Sequence, residues 1–576
     1  MTTDTAFADR VHERLVNIYG DRAETVLPRV LDLVARHESP PTGSRTSRWD
    51  ERDVVLIAYA DQVSEDGQSP LSTLQSFLAA HGLDECIGTL HILPFYPYSS
   101  DDGFSVIDYR AVDPAVGTWD DVRRLNKRVD LMFDLVLNHA SQHSRWFQDY
   151  LAGGEPFSRF FIDVDPNQDL SAVTRPRSLP LLTPFETSRG TRHLWTTFSA
   201  DQIDLNFAEP EVLVEMLDVL LCYVRRGARF VRLDAIAYLW KEIGTSCIHL
   251  RETHEVVKLM RDVLDAVAPH VVLLTETNVP HDENVSYFGQ GDEAHMVYQF
   301  SLPPLLLEAM LSHDAEPLKR WLLDLEATRP GTTYFNFTAS HDGVGVRPLE
   351  GLVSEDRFVR LVDAVKRRGG LVSTNRNHDG THDPYELNIT YLDALGDPDN
   401  LDPRSHARRF LTSQAIMLSL RGIPGVYFHS LVGTPNDLAG VESSGQPRRI
   451  NRRKYGLNEL SETLSTDGSA QQAVFQGYQQ LLRTRIAQPA FHPDADQTVF
   501  ETSDPAIVAF SRTSPDGGQS ILVAANLGSE VKRFKFSTHT RTPYAKDLLS
   551  DRPIGAEGVI DLEPYQIVWA EAFNAG

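Results

Sequence analysis

Four short segments carry the residues best suited to chemistry. They are D-L-V-L-N-H with Asp134, Asn138 and His139; R-L-D with Arg232 and Asp234; T-E-T-N with Glu276; and S-H-D with His341 and Asp342. Arg232 and Asp234 lie two apart in the apolar, β-prone run that starts at Phe230, so a strand turns both side chains to one face. A guanidinium beside a carboxylate favours its ionised form. An ionised, oriented carboxylate can attack the anomeric carbon of a sugar. On its own the pair is equally a structural salt bridge at the end of a buried strand. Three carboxylates brought to one place, however, are costly to hold unless something needs them there. Glycosyl transfer needs them: a nucleophile, an acid/base, and a third group for developing positive charge or for ring hydroxyls.

For these segments to meet, each must end a strand of one sheet. The candidate strands are Val54–Tyr59, Thr89–Phe95, Leu131–Leu137, Arg229–Ile236, Val271–Thr275, Met296–Phe300, Thr333–Phe337 and Gly425–Phe428. Amphipathic helices fall between them. One spans Pro210 to Arg226, with proline at its start, arginines at its end and Gly227 just past it; another spans Glu255 to Val267 and is closed by Pro269. Strands alternating with helices in this number predict an α/β fold, a (β/α)8 TIM barrel over 51–487, whose chemistry sits at the C-terminal strand ends. The four segments fall at the ends of the third, fourth, fifth and seventh strands. Two loop-rich insertions interrupt the rhythm, at about 140–205 with R-P-R at 175–177, and at about 345–405 with T-N-R-N-H-D-G-T-H-D-P-Y-E-L-N. Long insertions on such loops build substrate pockets. Residues 1–50 read as a helical extension ending in a polar linker, His37 to Ser47, either a packing appendage or an oligomer contact. Residues 488–576 change to short alternating runs, a separate antiparallel β domain.

The four chemistry-bearing segments resemble the four conserved regions of the α-amylase superfamily of glycoside-active enzymes. H-I-L-P-F-Y-P-Y-S-S-D-D-G-F-S-V-I-D-Y at 91–109, P-Y-E-L-N-I-T-Y at 384–391 and R-R-I-N-R at 448–452 look like the sucrose-phosphorylase group within it. The resemblance runs from about residue 50 to the end of the sequence. It implies Asp234 as nucleophile, Glu276 as general acid/base and Asp342 as transition-state stabiliser. It also implies that Asp101, His139, Arg232, His341 and Arg452 hold the glucosyl hydroxyls, Asp101 and Arg452 as a pair, with Phe104 and Tyr238 as apolar walls. Phosphate and acceptor binding map to Arg177 and to Tyr385, with Asp383 beside it. The wider superfamily often binds calcium near the residue matching Asn138, but the phosphorylase group generally does not, so no metal and no cofactor is assigned. The long N-terminal extension and the cationic or titratable Arg376, His378 and His382 look like the members of the group that act on glucosylglycerate. Surface solvation accounts equally well for those three side chains. The implied reaction is retaining transfer of glucosyl from 2-O-α-glucosylglycerate to phosphate, through a β-glucosyl-enzyme. Sucrose or a phosphorylated sucrose is the alternative donor, and an α-glucoside hydrolase of the same fold the alternative activity.

Composition bounds the partners. A net charge of −25, from 55 basic and 80 acidic residues, argues against nucleic acid and anionic membrane surfaces. It leaves room for a small anionic substrate met by a few local arginines, so the expected partners are an α-glucoside and inorganic phosphate. Cys86, Cys222 and Cys247 are widely spaced and form no CxxC, against zinc and disulfide frameworks. No basic leader with an apolar core opens the sequence, and no apolar run approaches a membrane span, so the cytoplasm is the default location.

Overall fold

The computed structural model of the protein describes residues 5–37, 47–177, 179–376, 381–399, 402–538, 544–554 and 558–572. Eight strands close into a parallel barrel: β1 (Val55–Ala58), β2 (Thr89–Ile92), β3 (Asp130–Val136), β4 (Ala228–Asp234), β5 (Val272–Thr275), β6 (Met296–Tyr298), β7 (Thr333–Phe337) and β8 (Ile423–Tyr427). Each pairs with its neighbours in sequence order, and β8 returns to β1 with Gly425 beside Val55. All eight expected strands are present, with ends shifted by a few residues. They are legible as apolar runs because helices cover their outer face while side chains fill the barrel inside. The register of β3 on β4 sets Asp134 level with Arg232 and Val136 level with Asp234.

The N-terminal residues form two helices, α1 (Thr5–Tyr19) and α2 (Ala23–His37). Val11, Leu15 and Ile18 of the first, and Val26, Val30 and Leu33 of the second, are buried. These stripes lie against the barrel helices α3 (Pro210–Arg225) and α4 (Arg251–Val267), α2 on the former and α1 on the latter. Polar contacts fix the fit: Arg14 Nε to Asp262 at 3.2 Å, Arg14 Nη2 to Asp292 at 3.1 Å, and the Tyr19 hydroxyl to the Phe207 carbonyl at 2.8 Å.

Both insertions are more ordered than their loop-like sequences indicate. The first contains the helix Arg145–Ala152, capped by Ser144, and a hairpin of Leu182–Thr187 with Gly190–Trp195. The second contains the helix Glu355–Arg367 and the strands Leu371–Arg376 and His382–Asn388. Each buries only a few apolar side chains, such as Phe147 and Tyr150 in the first and Leu361 and Val365 in the second, among many polar residues. Between β7 and β8 runs α5 (Pro403–Ser419); after the barrel, α6 (Ala470–Ile486) leads to a five-stranded antiparallel sheet. In spatial order its strands are Asp496–Val499, Ile507–Thr513, Ser520–Asn526, Ile567–Ala572 and Tyr544–Asp547. Two buried arginines tie these pieces together through backbone carbonyls: Arg512 of the sheet on Ser419 of α5 at 2.7 Å, and Arg485 of α6 on Leu418 of α5 at 2.8 Å.

Candidate active site

A pocket opens at the C-terminal mouth of the barrel. Asp234, the last residue of β4, Glu276, the first after β5, and Asp342, beyond β7, all line it. Asp101, Phe104, His139, Tyr238 and His341 line it too, while Arg232 and Arg452 lie behind the lining. The structure thus gathers residues that the sequence spreads over about 350 positions.

Arg232 organises the floor. Its Nη1 donates to Asp234 Oδ1 at 2.7 Å and to Asp134 Oδ1 at 2.5 Å, and its Nη2 lies 3.9 Å from Glu276. His91 donates to the second oxygen of Asp134 at 2.7 Å. Despite complete burial, His91 and Arg232 pull the Asp134 carboxyl down to about 2, so this strand-interior group is a fixed anion under the pocket. Burial pushes the Asp234 carboxyl well up; Arg232 opposes it, and Glu276 adds to the rise. Burial likewise raises Glu276, again against Arg232. The arginine touches Asp234 and only approaches Glu276, which gives the ionised share of the pair to Asp234 and the proton to Glu276. Ala235, with φ at 52°, turns its N–H onto Glu276 Oε2 at 3.0 Å. A left-handed backbone at a non-glycine residue costs on the order of 1–3 kcal/mol and persists where surroundings enforce it.

Asp342 is held the other way. Against the upward push of burial, Arg448 first and then Arg452 keep its carboxyl well below the ordinary range. Arg448 Nη1 contacts Asp342 Oδ1 directly, and Arg452 Nη2 is 3.5 Å away. His341 stacks on Phe104 with ring centroids 4.7 Å apart and planes 6° from parallel. Burial drops the His341 imidazole to about 3 and also lowers His139, so both rings are neutral at physiological pH.

The S-S-D-D-G-F-S stretch forms a pinned loop. Asp201 accepts from the hydroxyls of Ser99, Ser100 and Ser105 at 2.6, 2.5 and 3.0 Å. Asp101 and Asp102 both sit in the left-handed region, at φ 52° and 48°. Gly103 follows at φ +112°, where a side chain would meet the Pro94 carbonyl at 2.5 Å. This turn aims Asp102, rather than Asp101, at the arginine: Arg452 Nη1 is 2.7 Å from Asp102 Oδ2 and 3.5 Å from Asp101 Oδ1. The Asp101–Arg452 pair is therefore the longer half of a three-residue cluster.

At the outer rim stand Arg177, 3.9 Å from Asp101 and over the Phe198 ring at 6.0 Å, and Tyr385. Between Ser373–Glu386 and Thr374–Pro384 the register of the later hairpin slips by one residue, leaving Tyr385 unpaired in the bulge. Bulges beside active sites re-aim a side chain, and this one faces the pocket. His382 and Asp383 are exposed and do not line it. His378 and the side chain of Arg376 lie outside the described residues.

Several contributors were missed by sequence reasoning. Arg448 and Glu386 line the pocket as an ion pair from two segments 62 residues apart. Gln202 also lines the pocket, and its Nε2 donates to the Phe104 carbonyl at 3.4 Å beside His139. Lys241 lies 2.9 Å from Asn138 Oδ1 and 2.8 Å from Asp204 Oδ2, so an ammonium supplies the positive charge those oxygens attract. A signal existed for the first two, since both fall inside the R-R-I-N-R and P-Y-E-L-N motifs; Lys241 has none.

A family model described as the alpha amylase catalytic domain matches residues 86–343. The glucosylglycerate phosphorylase of Escherichia coli (strain K12) is 46% identical over 566 residues, covering 97% of this chain and 99% of the relative. That of Allomeiothermus silvanus is 50% identical over 495 residues, covering 85% and 88%. Among solved structures, the sucrose 6F-phosphate phosphorylase from Thermoanaerobacter thermosaccharolyticum superposes with a TM-score of 0.72 at 27% identity, covering 83% of this chain and 94% of that one.

Proposed function

This chain belongs to the glucosylglycerate phosphorylase family, within the α-amylase superfamily, and on that premise we propose how its pocket works. The enzyme transfers glucosyl from 2-O-α-glucosylglycerate to phosphate, giving α-glucose 1-phosphate and glycerate, and the reaction is reversible. Asp234 displaces glycerate from the anomeric carbon while Glu276 protonates the departing oxygen, forming a β-glucosyl-enzyme. Phosphate then attacks from the vacated side, so the configuration is retained. Asp342 faces the developing positive charge, and the Asp101–Asp102–Arg452 cluster with His139 and His341 takes ring hydroxyls. Phosphate is already anionic and needs positioning more than a base; Arg177 and Tyr385 at the rim offer it. The observation that carries this mechanism is Arg232 bridging Asp134, Asp234 and Glu276 across adjacent strand ends. Among the described residues no helix is long and apolar enough to cross a membrane. A cytoplasmic location fits products that are anions held inside a membrane.

The direct test supplies phosphate and a panel of α-glucosides and assays glucose 1-phosphate. Glucosylglycerate should be the preferred donor, and in reverse glycerate should accept glucosyl much faster than fructose or glycerol. Free glucose formed at the same rate with or without phosphate would make the enzyme a hydrolase; a preference for fructose would remove glycerate and leave the phosphorylase mechanism.

The pH profile provides a second check. Glu276 must carry a proton to release glycerate, and burial raises its pKa, so that proton persists above the usual glutamate value of 4.5. The alkaline limb of kcat/KM should therefore lie above 4.5 for wild type and vanish in Glu276→Gln. A limb at an unchanged pH in that variant would belong to another group.

A further inference from the structure

We propose that Arg448, clamped by Glu386, receives the carboxylate of glycerate and sets the preference for an anionic acceptor; this rests on the phosphorylase reading above. The pocket is acidic, lined by Asp101, Asp234, Glu276, Asp342 and Glu386. The described arginines in that lining are Arg177 and Arg448. Arg232 and Arg452 lie behind that lining, on Asp134 and Asp234 and on Asp102 and the His341 carbonyl. His139 and His341 are neutral through burial. An anionic acceptor entering such a field is stable only against a lining cation, which narrows the choice to two.

Geometry separates them. Arg448 meets Glu386 in bidentate fashion, Nε to Oε1 at 3.0 Å and Nη2 to Oε2 at 2.6 Å, while Nη1 reaches Asp342. A guanidinium has five N–H groups, and these contacts engage three, leaving one on each terminal nitrogen for a further anion. Among the described residues Arg177 is held by Asp101 at 3.9 Å and by the Phe198 face. A guanidinium already fixed by a carboxylate loses less freedom when it binds, so it discriminates better between a charged and a neutral acceptor. Arg448 lines the same pocket as Glu276 and Tyr385.

The test charges the enzyme with α-glucosyl fluoride and offers equal glycerate and glycerol, which share a three-carbon frame and differ in the carboxylate. The ratio of glucosylglycerate to glucosylglycerol is measured for wild type and Arg448→Gln. Being a ratio, it does not depend on the fraction of active enzyme. Loss of one charge-assisted hydrogen bond predicts a fall of at least about tenfold, and a smaller change overturns the assignment. If Arg448→Gln is insoluble, Arg448→Met is read by the same criterion. An unchanged ratio there with a tenfold fall in Arg177→Gln would give the carboxylate to Arg177. A wild-type enzyme without preference for glycerate would overturn the acceptor reading and this inference together, whereas a wild-type preference retained by Arg448→Gln overturns the inference alone.

Discussion

Asp234→Asn is expected to leave the fold intact and to abolish turnover, by at least about 10⁴-fold or roughly 5.5 kcal/mol of barrier. The fold should survive because Arg232 keeps Asp134 at 2.5 Å and the amide oxygen still accepts its hydrogen bond. Turnover should fail because a neutral amide cannot form the glucosyl ester on which both half-reactions depend. Phosphorolysis rate and thermal unfolding, measured on one preparation shown by mass to be free of deamidation, check both halves. More than about a tenth of wild-type activity would take the nucleophile's role from Asp234.

Glu276→Ala is expected to separate the donors. Glycerate is a poor leaving group without a proton, so phosphorolysis of glucosylglycerate should fall by about 10²–10⁴-fold, the usual contribution of a general acid. Glucosyl fluoride departs with little protonation, and its transfer to phosphate should fall far less. Phosphate carries its own charge and leaves the second step less dependent on a base. Equal losses on both donors would make Glu276 a structural group, one that receives the Ala235 N–H at 3.0 Å and stiffens the turn after β4.

What the sequence made legible is the part fixed by neighbours along the chain. Each barrel strand is rich in apolar residues because both its faces are covered, and a carboxylate placed at or beyond the end of such a run emerges at the mouth. That logic located Asp234, Glu276 and Asp342 without knowledge of any contact. The resemblance paired Arg452 with Asp101, while Asp102 lies nearer to it, because two successive left-handed residues that side-chain type does not announce set the turn. It also missed the Arg448–Glu386 clamp, which joins a turn after β8 to the hairpin after β7. The hairpin's slip at Tyr385 was equally hidden, since Pro384 and the polar residues before it read as loop. Residues set by tertiary approach, rather than by position on a strand, are those the sequence left unread.

The docking of α1 and α2 has a consequence for how the chain is made. Arg14 finds its carboxylate partner Asp262 only 248 residues later. At about 5–20 residues per second of synthesis, the helical pair waits roughly ten to fifty seconds for α4 to emerge from the ribosome. Through that interval Val11, Leu15, Ile18, Val26 and Val30 have no barrel to cover them. A nascent chain in this state presents an amphipathic hairpin to whatever holdase or neighbouring polysome is at hand. Slow codons or a heat-stressed cell would lengthen the exposure, so losses of yield during expression are expected to track α1 and α2 even though neither helix lines the pocket.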